Sequence, residues 1–250
     1  MDWTAWRTHF ETNRTRPLPD LRDAARGLPE EWVPRLASTV ARLQAGETGE
    51  GRIVNEVRKR GIGDADYCES MKLFVAEEGR HAAILGRALK GLGGTPQRDH
   101  WTARYFTVGR RVMGPRTKIV VLLAAEVIAV RFYGAMSEAL PEGPLRATFA
   151  QIQQDEIAHL EFHTDFFRSQ GRAGRAVFRA AWWPTASACC AVVLGDHAET
   201  LRLLGIDRAV LFREMLATVA HVDRRIASDA EPRWTQAGVA AIPVRVVEAA

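Results

Sequence analysis

The chain has 250 residues, of which 47% are hydrophobic and 26% are charged, and this is the composition of an ordinary soluble globular protein. Its length allows one domain or at most two, and we predict a single domain over residues 1–250. The 34 basic and 30 acidic residues give a formal net charge of +4. Because Arg is scattered along the chain rather than clustered, we expect no nucleic-acid partner.

The first half of the chain predicts two long helices. Residues 1–33 are interpreted as an irregular lead-in, and they contain no apolar run behind a basic patch that would indicate a secretory signal. Apolar positions then recur at three- and four-residue spacing between glycine-rich stops. The predicted elements are a helix over 34–60 ended by GIG at 61–63, a helix over 64–90 ended by GLGGTP, and a connector over 91–115 with a short helix near 101–111.

The second half predicts two more long helices and a helical extension. The elements are helices over 116–140 and 145–169 separated by PEGP, two further helices over 176–203 and 206–228, and a loose tail after Pro232. Short turns between helices one and two, and between three and four, make antiparallel hairpins, and the long connector suits a crossover. We therefore predict an all-α fold: a four-helix bundle over 34–170 with a crossover connection, and additional C-terminal helices over 171–250.

Residues 181–194, AWWPTASACCAVVL, form the most apolar window of the chain. The window is shorter than the roughly 20 residues that a spanning helix needs, and it contains Pro184, so we predict no membrane span. We expect a buried helix there, with a role at a membrane surface as the alternative.

The cysteines indicate the compartment. Cys68, Cys189 and Cys190 are an odd and sparse set that does not make a disulfide framework, and this agrees with a cytoplasmic location. The chain contains no C-x-x-C pair, which excludes a rubredoxin-type iron site.

An internal repeat contains the candidate metal-binding residues. Residues 43–53, LQAGETGEGRI, align with residues 122–132, LLAAEVIAVRF, so that Glu47 matches Glu126. Downstream of each segment, EEGRH at 77–81 matches DEIAH at 155–159. Glu47 precedes the motif acid Glu78 by 31 residues, and Glu126 precedes Glu156 by 30. Two registered copies of Glu followed by Glu-x-x-His are far more specific than a single Glu-x-x-His.

The spacing has a physical reason. A Glu at position i and a His at i+3 lie on one face of a helix, one turn apart, so both can reach the same point. Carboxylates facing a bundle core are costly without compensating charge. Four carboxylates are neutralised by two divalent ions, and mixed carboxylate and imidazole ligands fit iron or manganese better than zinc or copper. The alternative is that these residues form buried ion pairs or face water.

This constellation resembles the di-iron carboxylate superfamily on the ferritin-like fold, over residues 40–165. The resemblance implies two iron ions, or a mixed manganese–iron pair. It also implies that Glu47 and His81 bind one ion and Glu126 and His159 the other, while Glu78 and Glu156 bridge them. The implied metal-binding and catalytic residues are thus Glu47, Glu78, His81, Glu126, Glu156 and His159.

The resemblance implies an oxygenase or oxidase that activates dioxygen to oxidise a small, partly apolar organic substrate. Without a rubredoxin motif, electrons come from an external donor, and we expect a monomer or a homodimer. One alternative is iron handling by ferroxidase activity, iron storage or peroxide scavenging, as in ferritin-like and rubrerythrin-like proteins. Another is a helical protein that binds metal only for stability.

Several neighbours of the predicted ligands have two interpretations. Asp155 is expected to accept the free ring N–H of His81, and Glu77 that of His159, unless both acids face solvent. Glu50 is an alternative to Glu47 as ligand. His163 is either a seventh ligand or, in preference, an interhelical hydrogen-bonding residue. Tyr133 is expected to be a core aromatic, with electron relay as the alternative.

The remaining candidates are expected to be structural. Gly46, Gly49 and Gly51 in a predicted helix indicate either a substrate cavity or tight contact with a neighbouring helix. Arg52 and Arg131 are expected to form salt bridges across the bundle. Trp182, Trp183, Cys189 and Cys190 are expected to fill the core, or to form the wall of an apolar pocket. His197 and His221 are isolated and are expected to be structural.

Overall fold

The computed structural model describes residues 1–48, 51–97 and 114–228, and within them the chain is helical, with no β-strand. The all-α prediction is confirmed. The helices are α1 (Trp3–Arg14), α2 (Val33–Gly46), α3 (Gly51–Lys59), α4 (Ala65–Gly91), α5 (Pro115–Ala139), α6 (Pro144–Ser169), α7 (Arg172–Asp196), α8 (Ala198–Leu203) and α9 (Arg208–Ala227).

The chain divides into two compact units, Met1–Lys118 and Ile119–Ala250. The single domain over 1–250 and the bundle limits at 34–170 stay predictions. The predicted short helix near 101–111, its place in the crossover, and the tail after Pro232 lie outside the described residues.

The prediction of an irregular lead-in is wrong for its first half, because residues 3–14 form α1. The Asp2 side chain caps this helix by accepting a 2.9 Å hydrogen bond from the backbone N–H of Ala5. Trp3, Trp6 and Phe10 recur at helical spacing and are buried. They belong to the face that packs on α4, so the burial of large aromatic side chains stabilises a helix too short to persist alone.

The predicted helix over 34–60 is also wrong as one element. It is divided into α2, which ends at Gly46, and α3, which begins at Gly51. Each Gly inside a helix costs about 1 kcal/mol relative to Ala, so the glycine-rich segment is a weak point. A Cβ added at Gly46 or Gly51 would meet no described atom within 4 Å. The tight helix contact considered for these two glycines is therefore not found, and Gly49 lies outside the described residues.

Helix α4 follows its prediction to within one residue at each end. Its N-cap is Asp64, which accepts a 2.8 Å hydrogen bond from the backbone N–H of Tyr67. The preceding turn depends on glycine, since Gly61 and Gly63 have φ angles of +60° and +76°. The N-terminal unit is organised around α4, which packs against α1, α2 and α3.

In the C-terminal unit, α5 and α6 also match their predicted limits to within one residue. The predicted helix over 176–203 begins four residues earlier, at Arg172, and is interrupted at His197 before α8. Helix α9 packs against both α6 and α7. One of its anchors is Trp182 of α7, which is fully buried and donates its indole N–H to the carbonyl of Val219 at 3.0 Å.

By length and composition alone, α5 and α7 could each cross a membrane, and this is weak evidence by itself. In α5, 89% of the most apolar window is buried, which is the pattern of a core helix. In α7 only 33% of that window is buried. The expectation of a buried helix at 181–194 therefore holds for one face of the helix, and the other face is exposed.

Candidate metal centre

The N-terminal unit contributes the first predicted Glu-x-x-His pair from α4. His81 is fully buried and Glu78 is 7% exposed. Their spacing of one helical turn brings His81 Nδ1 to 3.8 Å from Glu78 Oε1. The two side chains thus reach a common point inside the unit, as the motif predicts.

Glu77, next to this pair, is buried as well. Its Oε1 accepts a 3.1 Å hydrogen bond from Arg16 Nη2, and the two form an ion pair. Sequence reasoning missed Arg16, because it lies 61 residues away in a segment without helical periodicity. The contact places a positive charge beside the acid that precedes the predicted ligand Glu78.

The C-terminal unit contributes the second pair from α6. Glu156 and His159 are 1% and 0% exposed, and His159 Nδ1 lies 3.1 Å from Glu156 Oε2. Like Glu78 and His81 in the N-terminal unit, this pair offers a buried carboxylate and a buried imidazole as candidate metal ligands.

Glu126 joins the second pair from α5. It is 3% exposed, and its Oε2 lies 3.8 Å from His159 Nδ1. Three of the six predicted ligands, Glu126, Glu156 and His159, are therefore neighbours inside the C-terminal unit.

His163 lies one turn beyond His159 and is fully buried. Its Nε2 is 3.7 Å from Glu126 Oε1, which is longer than a hydrogen bond. Burial and, to a smaller extent, the neighbouring His159 lower the pKa of His163 to about 3, although Glu156 acts in the opposite direction. The ring is therefore neutral at physiological pH, and both proposed roles, ligand and interhelical hydrogen-bonding residue, stay predictions.

Glu47 has a different local setting from its repeat counterpart Glu126. It follows the last residue of α2, and its backbone N–H donates to the carbonyl of Leu43 at 3.1 Å. Its side chain is half-buried, whereas that of Glu126 is buried. Its assignment as a ligand stays a prediction, and the alternative ligand Glu50 lies outside the described residues.

The two acids that are expected to accept hydrogen bonds from the ligand histidines are buried. Asp155 is 4% exposed and accepts a 3.4 Å hydrogen bond from Gln151 Nε2. Since Glu77 is also buried, the alternative that both acids face solvent is wrong. Their pairing with His81 and His159 stays a prediction.

Tyr133 fits a core aromatic, as preferred from the sequence, since it is 1% exposed and its ring lies 5.7 Å from that of Phe149.

The two arginines expected to form salt bridges across the bundle differ in their surroundings. Arg131 is buried and donates from Nε to Thr218 Oγ1 at 2.8 Å, whereas Arg52 is exposed.

The residues expected to fill the core do so with one exception. Trp182, Cys189 and Cys190 are buried, but Trp183 is 39% exposed, so the core assignment is wrong for it. A buried structural role also fits His197, whose ring lies 4.8 Å from that of Phe132.

The fold is similar to that of solved oxidases. An R2-like ligand-binding oxidase with an aerobically reconstituted Mn/Fe cofactor aligns with a TM-score of 0.58 and 14% identity, over 92% of this chain and 94% of that chain. A mutant of an R2-like ligand-binding oxidase, also with a Mn/Fe cofactor, aligns with a TM-score of 0.55 and 12% identity, over 90% and 93%. No family model and no curated protein matches the chain. The prediction of an all-α, ferritin-like fold is confirmed.

Proposed function

We propose that this protein is a dinuclear non-haem metal oxidoreductase that activates dioxygen to oxidise a small, partly apolar organic substrate. The observation that carries the proposal is the presence of two buried Glu-x-x-His pairs, one in each compact unit. In a chain whose fold resembles that of Mn/Fe oxidases, two such pairs at matching places in an internal repeat favour one shared dinuclear centre.

The proposed ligands follow the repeat. Glu47 and His81 would hold one ion, Glu126 and His159 would hold the other, and Glu78 and Glu156 would be shared by both. The closeness of Glu126 Oε2 to His159 Nδ1, 3.8 Å, supports a shared ion for that pair. The half-buried position of Glu47 makes it the least supported member of the set.

The donor set fits a pair of divalent ions. Carboxylate oxygens and imidazole nitrogens together suit iron and manganese. Buried carboxylates are tolerated only where positive charge compensates them. Arg16 supplies that charge to Glu77 inside the N-terminal unit. The four ligand carboxylates require four positive charges, which two divalent ions provide.

The chain's own contribution is orientation and exclusion of water. The side chains of both motif pairs are at least nine-tenths buried, so a bound ion would be shielded from bulk solvent. Asp155 and Glu77 are proposed to fix the tautomers of His81 and His159 by accepting their second ring N–H. When bound, two ferrous ions or a Mn/Fe pair supply the electrons that reduce dioxygen. We propose a separate cytoplasmic electron donor, because the chain carries no rubredoxin motif.

Anaerobic loading with ferrous ion followed by exposure to air tests this function. The native protein is expected to consume dioxygen and to develop a new near-ultraviolet or visible absorption band. Glu156→Gln is expected to abolish both responses, whereas His197→Asn, which alters a buried His far along the chain from either motif, retains them. Iron binding without any response to dioxygen would contradict the oxidase proposal and favour a structural metal.

Product analysis separates the oxidase from an iron-handling protein. An oxidase turns over repeatedly with a reductant and does not accumulate ferric ion beyond its two bound ions. Continued uptake of ferric ion by a cage-sized assembly in size-exclusion chromatography would instead identify iron storage.

A further inference from the structure

We propose that Gln153 of α6 is a positioning residue for the metal centre. Its side-chain amide fixes the register between α5 and α6, and this register brings Glu126 of α5 to His159 of α6. The role of Gln153 is to hold the two helices rather than to bind an ion. The inference rests on the proposed function, because it assigns Gln153 to the metal centre of that function.

The amide of Gln153 links the two helices by a buried hydrogen bond. Gln153 is 8% exposed, and its Nε2 donates to the main-chain carbonyl of Val130 on α5 at 3.2 Å. In a regular α-helix this carbonyl also accepts the backbone N–H of Gly134. A buried amide that loses its partner is costly, so the bond resists displacement. Gln153 is therefore a directional link between α6 and the backbone of α5.

A glycine makes this close approach possible. A Cβ added at Gly134 would overlap Gln153 Nε2 and would lie 3.0 Å from its Cδ. Glycine in a helix interior is unfavourable relative to alanine. The contact with Gln153 gives a physical reason for a glycine within α5, because any larger residue would push the amide away from the Val130 carbonyl.

The other contacts of α5 are poorly suited to fix its register. Between positions 119 and 137, the charged residues of this helix are Glu126 and Arg131, and most of the others are apolar. Apolar contacts are non-directional, so they oppose sliding of one helix along another only weakly. A single buried polar contact can specify the register of packed helices, as it does in coiled coils. The bond from Gln153 provides such a contact.

The link lies about one helical turn from two proposed ligands. Val130 follows Glu126 by four residues, and Gln153 precedes Glu156 by three. On the same pair of helices, Glu126 Oε2 lies 3.8 Å from His159 Nδ1. A shift of one residue along a helix moves a side chain by about 1.5 Å. A functional site requires its side chains to be held within about 0.5 Å, so the register decides whether these ligands meet.

The first copy of the internal repeat has a different residue at the matching position. Val75 precedes Glu78 by three residues, as Gln153 precedes Glu156. A valine side chain cannot donate a hydrogen bond, so the link is a feature of the second copy. Loss of the link is therefore expected to affect the ion held by Glu126 and His159 more than the other ion.

Binding of Co²⁺ to the full-length protein tests the proposal without dioxygen chemistry. Competition with a chelator gives the affinities, the visible absorption of bound Co²⁺ reports the ligand geometry, and urea unfolding gives the stability of the metal-free chain. Gln153→Leu keeps the size of the side chain and removes its donor. It is expected to weaken the binding of one of the two ions by about 10- to 100-fold and to change the absorption band. A loss of stability with unchanged affinity and unchanged absorption would show a merely structural role and overturn the proposal.

Substitutions at Gly134 test whether the bond itself is responsible. Gly134→Ala is expected to weaken the same ion, because the added methyl group displaces the amide. In the background of Gln153→Ala, Gly134→Ala is expected to cause no further loss of affinity, since no amide is left to displace. Additive losses would overturn the coupling. Gly195→Ala is the matched control, because a Cβ there would meet no described atom within 4 Å.

The same measurements separate this inference from the proposed function. A native chain that binds no Co²⁺ would contradict both. A native chain that binds two ions, with Gln153→Leu and Gly134→Ala binding them equally well, would overturn the role of Gln153 and leave the proposed function intact.

Discussion

The carboxylate of Glu126 lies close to the ring of His163, with 3.7 Å between Oε1 and Nε2. The other oxygen of Glu126 faces His159, so the acid lies between two buried imidazoles on α6. His163 is therefore a candidate for positioning the proposed ligand Glu126.

If His163 positions Glu126, its replacement changes metal affinity rather than removing the site. His163→Asn is expected to weaken binding of one metal ion by about 10- to 100-fold, the usual effect of losing a residue that supports a ligand. Competition with a chelator measures the change. His197→Asn removes another buried imidazole, and it should leave the affinity unaltered. Equal affinity in native protein and His163→Asn would show that the contact has no positioning role.

Two glycines of α4 should respond in opposite directions to the same substitution. A Cβ on Gly91 would overlap the backbone carbonyl of Leu21 and crowd Ala24, whereas a Cβ on Gly79 would meet nothing within 4 Å. Gly91→Ala is expected to destabilise the protein by about 1–3 kcal/mol through overpacking. Gly79→Ala is expected to stabilise it by about 0.5–1 kcal/mol through helix propensity. Urea unfolding distinguishes the two, and a shift of the same sign for both variants would contradict the packing of α4 against the 21–24 segment.

The buried and exposed ion pairs of α9 should differ in their contribution to stability. Arg225 Nη2 lies 2.8 Å from Glu161 Oε2 and 3.5 Å from Asp165 Oδ1, with all three side chains at least 95% buried. Arg179 pairs with Asp223 at 2.6 Å, but the Arg179 side chain is 48% exposed. Arg225→Met is expected to cost about 3–5 kcal/mol, because it leaves a buried carboxylate without its cation.

Arg179→Met serves as the comparison and is expected to cost less than about 1 kcal/mol, because solvent screens the exposed pair. The free energies of unfolding from urea titrations at neutral pH give both values. Similar losses in the two variants would mean that the contact between α9 and α6 is not buried as described.

The three thiols should react at different rates. Burial raises the pKa of Cys189 to about 11 and that of Cys190 to about 12, while Cys68 is only half-buried. Since the thiolate is the reactive form, a thiol reagent at pH 8 is expected to modify Cys68 first. Cys189 and Cys190 should react only after unfolding. Mass analysis of labelled Cys68→Ser checks this, and rapid labelling of that variant would contradict the burial of the pair on α7.

The long core helices could be predicted closely from the sequence because their limits have local causes. Asp64 caps α4, and the glycines at 61 and 63 adopt left-handed angles that end the preceding segment. The Glu-x-x-His pairs could be recognised from the sequence for a similar reason. Their spacing fixes their common face on a helix, whatever the rest of the chain does.

Two of the missed features depend on contacts between segments that are far apart in the chain. Helix α1 is stabilised by packing its aromatic residues on α4, and Arg16 reaches Glu77 across 61 residues. The glycines at 46, 49 and 51 mark the place where α2 ends and α3 begins. The sequence alone, however, does not distinguish a helix that tolerates these glycines from one that ends there. The exposure of Trp183 depends on which face of α7 packs against α9. Because α7 is apolar on both faces, its sequence does not predict which face is buried.

Metal content with spin coupling tests the central proposal most directly. Protein purified from iron-supplemented cells, assayed by elemental analysis and by Mössbauer spectroscopy, is expected to hold two magnetically coupled metal ions per chain. Glu156→Gln should lose the coupling, whereas Glu161→Gln, a buried acid of the same helix that pairs with Arg225, should retain it. A native protein with no stoichiometric metal, or with two uncoupled ions, would contradict the account.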